Sequence, residues 1–325
     1  MTYSPSLRAD AAPKYFYGDR CAVLLLPLVW SVYAYGLRAL LITLISVAVA
    51  LALYAEFLFV TRQKFTVFAF DVIISAAVAA FTLPVSVPYY IPMLCGFIAV
   101  IPSLWLPNGK KTVFGGFLAA AAVRLMFPKL LSRATQAFLY VSPWIFSPME
   151  KDINSFRTYT PLQLLAEDKV SSGTLWDQFY GTVSGNIGEI SFMLLLAGCI
   201  FLVVRNRIRI KGLCAFLLTV CLITLIFPLG DSEAIFFMLV SLLSGGIMLA
   251  CTFVFSDTLV MPVTDMGKIV FGVGAGVLTV LIRYLGNADE GVYAAVVIMC
   301  LLTPVIDKYT LPVAYGRTKV KGGKK

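Results

Sequence analysis

The 325-residue chain is 60% hydrophobic and only 13% charged, whereas roughly a quarter of the residues in a soluble domain are charged. Its apolar runs recur and are long enough to cross about 30 Å of hydrocarbon, which predicts an all-α polytopic membrane protein. The runs are continuous rather than alternating, which excludes a transmembrane barrel. We assign the net charge of +9 to basic loops on one side of the lipid bilayer and expect no nucleic-acid partner.

The residue types exclude several kinds of metal centre. The chain has no histidine, so it contains no His-ligated haem, His-based zinc site or histidine proton relay of its own. Its seven cysteines lie in apolar runs and form no CxxC pair, so we interpret them as small buried hydrophobic residues. We therefore expect no metal site.

Ten apolar runs, in two blocks of five, are candidate membrane spans. Residues 1–20 are polar and mixed in charge, which predicts a cytoplasmic N-terminal segment rather than a signal peptide. The first block covers 21–37, 39–60, 66–84, 88–107 and 112–128. The second block covers 187–204, 212–229, 233–256, 267–285 and 291–306. A polar region over 129–186 separates the blocks, and a basic tail covers 307–325.

The similar span lengths of the two blocks predict an internal duplication. An odd number of spans in each block would make the two repeats, 21–128 and 187–306, inverted relative to each other, an architecture that is common in transporters. This interpretation depends on spacing alone, because the sequence similarity between the blocks is weak.

Charged residues between the spans predict the orientation. With the N-terminus in the cytoplasm, most basic residues of the short connections face inward, as the positive-inside rule requires. These residues are Arg62, Lys64, Lys110, Lys111, Arg205, Arg207, Arg209, Lys211 and Lys268. We therefore expect a multi-pass protein of the inner (cytoplasmic) membrane, with both termini in the cytoplasm and the polar region on the outer face.

Four ionisable residues lie in or near the predicted spans, where a charge must face the protein interior or water. Asp71 and Arg283 are close to the ends of their spans, so either can reach an interface or pair inside the protein. Arg124 is deeper, and its guanidinium suits a phosphate or carboxylate partner. Glu189 begins a span, where it can cap a helix N-terminus or belong to a cation pathway.

Prolines and glycines interrupt several spans, notably in FTLPVSVPYYIP (81–92) and FSDTLVMPVT (255–264). Broken helices at membrane depth are tolerated only where they are buried in protein or surround a cavity. We expect Asp257, in the second of these segments, to lie at the inner interface, either as a cap for a half-helix or as a ligand contact.

These segments carry a resemblance to a known family. The C-terminal part of the chain resembles the D subunit of the Rnf electron-transport complex and, more distantly, the B subunit of the sodium-pumping NADH:quinone reductase. The family's aspartate-proline-valine segment corresponds to Asp257-Thr258-Leu259, and its Ile-Arg-Tyr ending corresponds to residues 282–284. SGNIGEIS (184–191) and FTLPVSVPYYIP match further family segments, and the likeness extends over almost the whole chain.

The resemblance implies an integral subunit of an ion-translocating ferredoxin:NAD oxidoreductase, a translocase that couples electron transfer to Na+ or H+ movement. Such a subunit carries FMN, works with other membrane and peripheral subunits, and has no complete activity alone. Glu189 and Asp71 would belong to its ion pathway. Two alternatives stay open: a non-redox small-solute transporter or channel of the same fold, and a structural subunit without flavin.

The resemblance also implies where a flavin would be attached. The family binds FMN through a phosphoester to the threonine of a Ser-Gly-Ala-Thr-Pro-Leu-like motif, and a dedicated flavin transferase makes the bond. The Thr-Pro-Leu match places that threonine at Thr160, with Arg157 and Arg124 as cations for the phosphate. A second registry, which uses Asp152 and Ser155 as upstream residues, places it at Thr158 instead. An ordinary connecting loop is the alternative, and a second, noncovalent flavin such as riboflavin is compatible with the family.

One segment departs from the family. Members often have Asn-Phe-Asn-Pro-Ala at the start of the fifth span, whereas this chain has KKTVFGGFLAAAAVR, with Gly115 and Gly116 followed by alanines. If the missing side chains form part of a flavin or ion site, that site is lost or remodelled in this chain.

Overall fold

Each of the ten predicted spans contains at least one helix in the structure, a computed structural model. It describes residues 13–62, 68–104, 113–131, 134–135, 157–158, 173–182, 184–228, 233–285 and 291–311. Within these ranges, the first half has six helices: α1 (Pro13–Tyr35), α2 (Leu37–Thr61), α3 (Phe68–Phe81), α4 (Tyr90–Leu104), α5 (Gly115–Met126) and α6 (Pro128–Leu131).

The second half begins after a short strand pair on the predicted polar region. Strand β1 (Ala134–Thr135) pairs antiparallel with β2 (Arg157–Thr158). The helices that follow are α7 (Gly173–Tyr180), α8 (Phe192–Val204), α9 (Ile210–Ile226), α10 (Ala234–Leu243), α11 (Ile247–Leu249), α12 (Asp265–Leu285) and α13 (Val292–Thr310). Helix α11 continues directly into a π-helical segment over Ala250–Val254.

Helix length and apolarity support the membrane interpretation. Within the described residues, α2, α12 and α13 are each long and apolar enough to cross a bilayer, and α10 with Ile247–Val254, bent by 53°, has the composition of a broken span or a re-entrant loop. Five further apolar helices, in α3, α4, α5, α8 and α9, are 10–17 residues long. The prediction of an all-α polytopic membrane protein is confirmed, and the count of ten complete crossings stays a prediction.

Proline, glycine and backbone pairing explain where the helices break. Helix α3 ends at Phe81, and the segment after it contains Pro84 and Pro88, neither of which can donate a backbone hydrogen bond. This segment pairs with a loop from the second half, because Ile187 N donates to Leu83 O (3.0 Å) and Gly188 N donates to Phe81 O (2.8 Å). The two halves of the chain therefore meet at a break.

Arginine side chains satisfy the backbone carbonyls at these breaks. Arg38 donates to Val85 O (2.9 Å) and Val87 O (3.1 Å) in the segment after α3. Arg283 donates to Ser241 O (2.8 Å) and Ser244 O (3.0 Å) at the end of α10. Helix C-terminal carbonyls carry partial negative charge and have no water at membrane depth, so a guanidinium stabilises an otherwise costly break.

Three helix pairings of the first half have counterparts in the second, whereas the packing of α3 against α4 and α5 has no comparable counterpart among the described helices. In the first half α2 packs against α3 and α4, and α4 packs against α5; in the second half α9 packs against α10 and α12, and α12 packs against α13. Contacts of α1 with α8 and of α5 with α13 join the halves. This correspondence is what the predicted duplication would produce, and the inverted relation between the repeats stays a prediction that superposition of the two halves can test.

Small residues allow the closest of these contacts. A Cβ on Gly115 would lie 2.1 Å from the Ala99 carbonyl oxygen, so the start of α5 rests directly on the backbone of α4. A Cβ on Gly116 would lie 2.8 Å from the Ser75 carbonyl oxygen on α3. The departure from the family's Asn-Phe-Asn-Pro-Ala segment therefore has a packing consequence, because this backbone arrangement has no room for larger side chains at either position.

We expect Gly115→Ala to lower the free energy of unfolding by about 1–3 kcal/mol, because the added methyl group forces α5 away from α4. Thermal unfolding of the purified protein in detergent measures the change. Gly18→Ala is the matched control, since Gly18 is also helical but a Cβ there would meet no described atom within 4 Å. Equal stability of the two variants would contradict the close contact between α4 and α5.

Candidate functional site

A charged cluster lies where α1, α3 and the segment after the π-helix meet. Arg20 on α1 is fully buried, and Asp71 and Asp257 are each 1% exposed. Arg20 NH1 is 3.8 Å from Asp71 Oδ1, and Arg20 NH2 is 3.7 Å from Asp257 Oδ2. Arg20 NH2 also donates to Phe253 O at 3.0 Å, at the end of the π-helical segment. We call these four residues the Arg20 cluster.

Local backbone and aromatic contacts hold the Arg20 cluster in place. Asp257 Oδ1 accepts a hydrogen bond from Leu259 N (3.0 Å), so this carboxylate also caps the turn that follows the π-helix. The guanidinium carbon of Arg20 is 5.8 Å from the ring centroid of Phe16 and 5.9 Å from that of Phe114. Two carboxylates and one guanidinium share this buried volume, which is unusual because buried charges are costly unless they are balanced.

This cluster bears on three expectations from the sequence, of which the placement of Arg20 is corrected. Asp71 does not reach an interface, because it is buried in the first turn of α3. Asp257 is buried, and it caps the turn at Leu259 rather than a half-helix; its position at the inner interface stays a prediction. Arg20, assigned to a polar N-terminal segment, belongs to α1, which begins at Pro13. The sequence does contain a signal for the longer helix, because the aromatic residues before Arg20 continue the helical spacing of the first apolar run.

A second cluster is centred on Glu189. Its Oε2 accepts a hydrogen bond from Asn186 Nδ2 (2.8 Å), and its Oε1 accepts one from the Tyr293 hydroxyl. Arg124 lies over the Tyr293 ring, with its guanidinium carbon 4.9 Å from the ring centroid. Arg124 NH2 donates to Thr82 O at 3.1 Å, at the break after α3. We call Arg124, Asn186, Glu189 and Tyr293 the Arg124 cluster.

Glycines and a tyrosine position this second cluster. Gly188 has no space for a side chain, because its Cβ would lie 2.3 Å from Phe81 Cβ, and this close approach fixes Glu189 beside the α3 break. Gly246, at the bend between α10 and α11, leaves the room that Tyr293 and Glu189 occupy. The Tyr35 hydroxyl donates to Gly185 O at 2.7 Å and ties the end of α1 to the same loop.

Two phenylalanines at the start of α5 connect the clusters through direct ring contacts. Phe114 and Phe117 are fully buried, and their ring centroids are 5.7 Å apart. Phe114 contacts Arg20, and the Phe117 ring is 5.2 Å from that of Tyr293. Ten helical residues rise about 15 Å, so Phe114 and Arg124 place the two clusters near opposite ends of α5.

Comparison with known proteins identifies the family. The family model described as "NQR2, RnfD, RnfE family" matches residues 1–316. The chain belongs to this family.

Relatives within the family agree over nearly the whole length. The chain is 30% identical to the D subunit of the Na(+)-translocating ferredoxin:NAD(+) oxidoreductase complex of Acetobacterium woodii, over 99% of this chain and 96% of that protein. It is 28% identical to the D subunit of the proton-translocating ferredoxin:NAD(+) oxidoreductase complex of Clostridium ljungdahlii, over 97% and 96%. The D subunit of the ion-translocating oxidoreductase complex of Actinobacillus succinogenes is 29% identical, over 87% and 88%.

The structure describes some of the flavin-site residues that the family resemblance implies, namely Arg124, Arg157 and Thr158. Thr160 lies outside the described residues. Arg157 and Thr158 form β2, where Thr158 pairs with Ala134 and Arg157 pairs with Thr135. This pairing joins the backbone of the candidate loop to the segment that follows α6. Arg124 donates a hydrogen bond to Thr82 O and lies over the Tyr293 ring, so it belongs to the Arg124 cluster.

The structure also describes the surroundings of Arg283 and of the seven cysteines. Arg283 is 3% exposed and donates to Ser241 and Ser244, so it pairs inside the protein. All seven cysteines, each within the described ranges, are free. Cys95, Cys199, Cys251 and Cys300 are buried in the protein, as the sequence predicts, Cys21 and Cys221 are partly buried, and Cys214 lies on a face of the apolar helix α9 that no described residue covers.

Proposed function

We propose that this chain is the D-type integral subunit of an Rnf-type ferredoxin:NAD oxidoreductase that couples electron transfer to cation transport. The observation that carries this proposal is the agreement over nearly the entire chain with relatives that are named as D subunits of such complexes. The protein would lie in the cytoplasmic membrane with both termini in the cytoplasm, and it would work together with the other subunits of the complex.

We further propose that the two charged clusters are successive stations of the cation pathway. Glu189 supplies the carboxylate of the Arg124 cluster, and Asp71 and Asp257 supply those of the Arg20 cluster. Their positions near opposite ends of α5 support this arrangement, as does the general rule that intramembrane carboxylates mark ion pathways. One relative is named for Na+ and another for protons, so both cations are candidates.

We propose that the polar region carries covalently bound FMN on the outer face. The Thr160 hydroxyl is the preferred anchor for the phosphoester, with Thr158 as the alternative, and Arg157 neutralises the phosphate. The sequence supports this role, because threonine and arginine are adjacent at Arg157-Thr158 and Thr160 follows two residues later, and the backbone of Arg157 and Thr158 pairs with β1. FMN, when attached, would supply the electron-carrying chemistry, and the chain would anchor and orient it.

The flavin proposal predicts a fluorescent protein band after denaturing electrophoresis under ultraviolet light. The chain is expressed together with a flavin transferase, and we expect Thr160→Val to abolish the band while Thr158→Val retains it. Loss in Thr158→Val alone would move the attachment to the second registry. A wild-type chain without any band, in cells where a known flavoprotein substrate of the transferase is labelled, would contradict covalent flavin.

A subunit without flavin is the second candidate function, and one feature of the sequence favours it. Arg157, Thr158 and Tyr159 stand where the family's motif has Ser, Gly and Ala. These larger side chains hinder entry into a transferase active site that accepts small residues. In that case the chain would keep its scaffold and cation pathway but pass no electrons.

A further inference from the structure

A group of basic side chains lies near the end of α8 and the starts of α9 and α12. These residues, which we call the α9 basic surface, are Arg205, Arg207, Arg209, Lys211 and Lys268. The starts of α9 and α12 are in direct contact, because a Cβ on Gly212 would lie 3.1 Å from the Lys268 carbonyl oxygen. The five side chains therefore belong to one region of the protein, although they come from two segments of the chain.

The loop between α8 and α9 holds its basic side chains in a defined position. Asp19 on α1 accepts hydrogen bonds from Arg205 NH2 (3.0 Å) and Arg207 Nε (2.7 Å). The backbone turns tightly at the same place, since Arg207 N donates to Leu202 O (2.8 Å) and Asn206 has a left-handed φ of 56°. The loop is thus fixed to α1 before any ligand binds.

The α9 basic surface carries more positive charge than its carboxylates neutralise. Asp265 accepts a hydrogen bond from Lys211 (2.6 Å) and lies 3.9 Å from Lys268. Arg209 is exposed and pairs with no acidic residue that the structure describes. Five basic residues against Asp19 and Asp265 leave three positive charges in excess. The nearby end of α13 adds one charge of each sign: Asp307 and Lys308.

Exposed apolar side chains stand directly beside these charges. They lie at the end of α8, the start of α9 and the start of α12: Phe201, Val204, Ile210 and Met266. Because α12 is long and apolar enough to span a bilayer, its first residues lie where headgroups meet hydrocarbon. An anionic phospholipid matches both features, since it presents a phosphate to the basic groups and acyl chains to the apolar ones.

We propose that the α9 basic surface binds the phosphate group of an anionic phospholipid. The exposed guanidinium groups of Arg205 and Arg209 donate hydrogen bonds to the phosphate oxygens, and Lys211 adds a further charge. The acyl chains lie against the exposed apolar side chains of α8 and α9. A bound lipid stabilises the junction of α1, α8, α9 and α12. The proposal requires only that these helices lie in a membrane, and it is independent of the flavin and of the cation pathway.

Lipid binding is tested on the purified full-length chain in a non-ionic detergent. The midpoint of thermal unfolding is measured against the mole fraction of added phosphatidylglycerol, and we expect a saturable rise that phosphatidylcholine does not produce. The double variant Arg205→Gln with Arg209→Gln should raise the half-saturating fraction at least about tenfold, because each basic residue near an anionic surface contributes roughly fivefold to binding. Arg207 keeps its hydrogen bond to Asp19 in this variant, so the loop stays anchored.

Two further variants complete the test. Arg62→Gln is the matched control, because Arg62 is also an exposed arginine next to a membrane helix but lies after α2, and its half-saturating fraction should stay within about twofold of the wild type. Asp265→Asn covers the case in which the double variant fails to fold. It changes an exposed residue and adds to the excess positive charge, so it should lower the half-saturating fraction about fivefold.

Four outcomes would overturn the proposal. Equal stabilisation by phosphatidylglycerol and phosphatidylcholine would show that the phosphate charge is not recognised. Inorganic phosphate that reproduces the effect at the same concentration would make the surface a site for a free anion. An unchanged response in both the double variant and Asp265→Asn would place the lipid elsewhere. Loss of complex assembly in the double variant, with its lipid response intact, would assign the surface to another subunit.

Discussion

A double variant, Asp71→Asn with Asp257→Asn, should lose about 3–5 kcal/mol of the free energy of unfolding. The two changes remove both negative partners of Arg20, and the guanidinium has no exposed surface through which water could solvate it. The asparagines keep the volume of the carboxylates, so the loss reflects an uncompensated buried charge rather than a cavity. Thermal or denaturant unfolding in detergent measures the effect.

A third substitution tests this explanation. Adding Arg20→Met removes the stranded charge and fills the same space with apolar atoms, so we expect it to restore most of the lost stability. Asp265→Asn is the matched control, because Asp265 also pairs with basic residues, Lys211 and Lys268, but at an exposed position. Its stability should stay close to that of the wild type. A double variant as stable as this control would show that Arg20 does not depend on the two carboxylates.

The second large effect is expected on transport. Glu189→Gln should reduce cation uptake at least about tenfold in vesicles that contain the assembled complex, because it removes the charge from the Arg124 cluster. The amide can still contact Asn186 and Tyr293, so the loop should keep its conformation. Ferredoxin-dependent NAD reduction, measured on the same vesicles, separates a transport defect from a loss of assembly.

Two further variants serve as controls for the cation-uptake experiment. Glu189→Asp retains the charge and should retain measurable uptake. Glu233→Gln changes an exposed glutamate that precedes α10 and should behave as the wild type. Normal uptake by Glu189→Gln would remove this residue from the cation pathway, and equal losses in Glu189→Gln and Glu233→Gln would indicate a general effect of the mutations.

Apolar composition and helix-breaking residues were sufficient to predict a helix in each span and the break after α3, but not the start of α1 at Pro13 or helix α7 in the predicted polar region. A run of about 20 apolar residues has few alternatives to a buried or membrane-spanning helix, so the positions of α2, α12 and α13 followed directly. Pro84 and Pro88 identified the break after α3 in the same way, because proline removes a backbone donor. Apolar composition and proline act locally, so their effect on a helix does not depend on contacts with distant parts of the chain.

The charged clusters depend on contacts that no local pattern contains. Arg20 bonds to Phe253 across 233 residues of sequence, and Tyr293 reaches Glu189 across 104. A hydropathy window that includes Gly18, Asp19 and Arg20 is polar on average, although Arg20 lies inside the protein and only Asp19 faces the basic loop. Tertiary packing, and no local sequence pattern, therefore places Arg20 inside the protein and Asp19 against the basic loop.

The ring contacts along α5 have a consequence for how a cation could travel. Phe114, Phe117 and Tyr293 have almost no accessible surface and touch one another in series, so the conformation described is a closed one in this region. In the proposed cation pathway, passage between the two clusters along these rings would require the rings to move apart, and its rate would follow the frequency of that opening rather than diffusion through a standing pore.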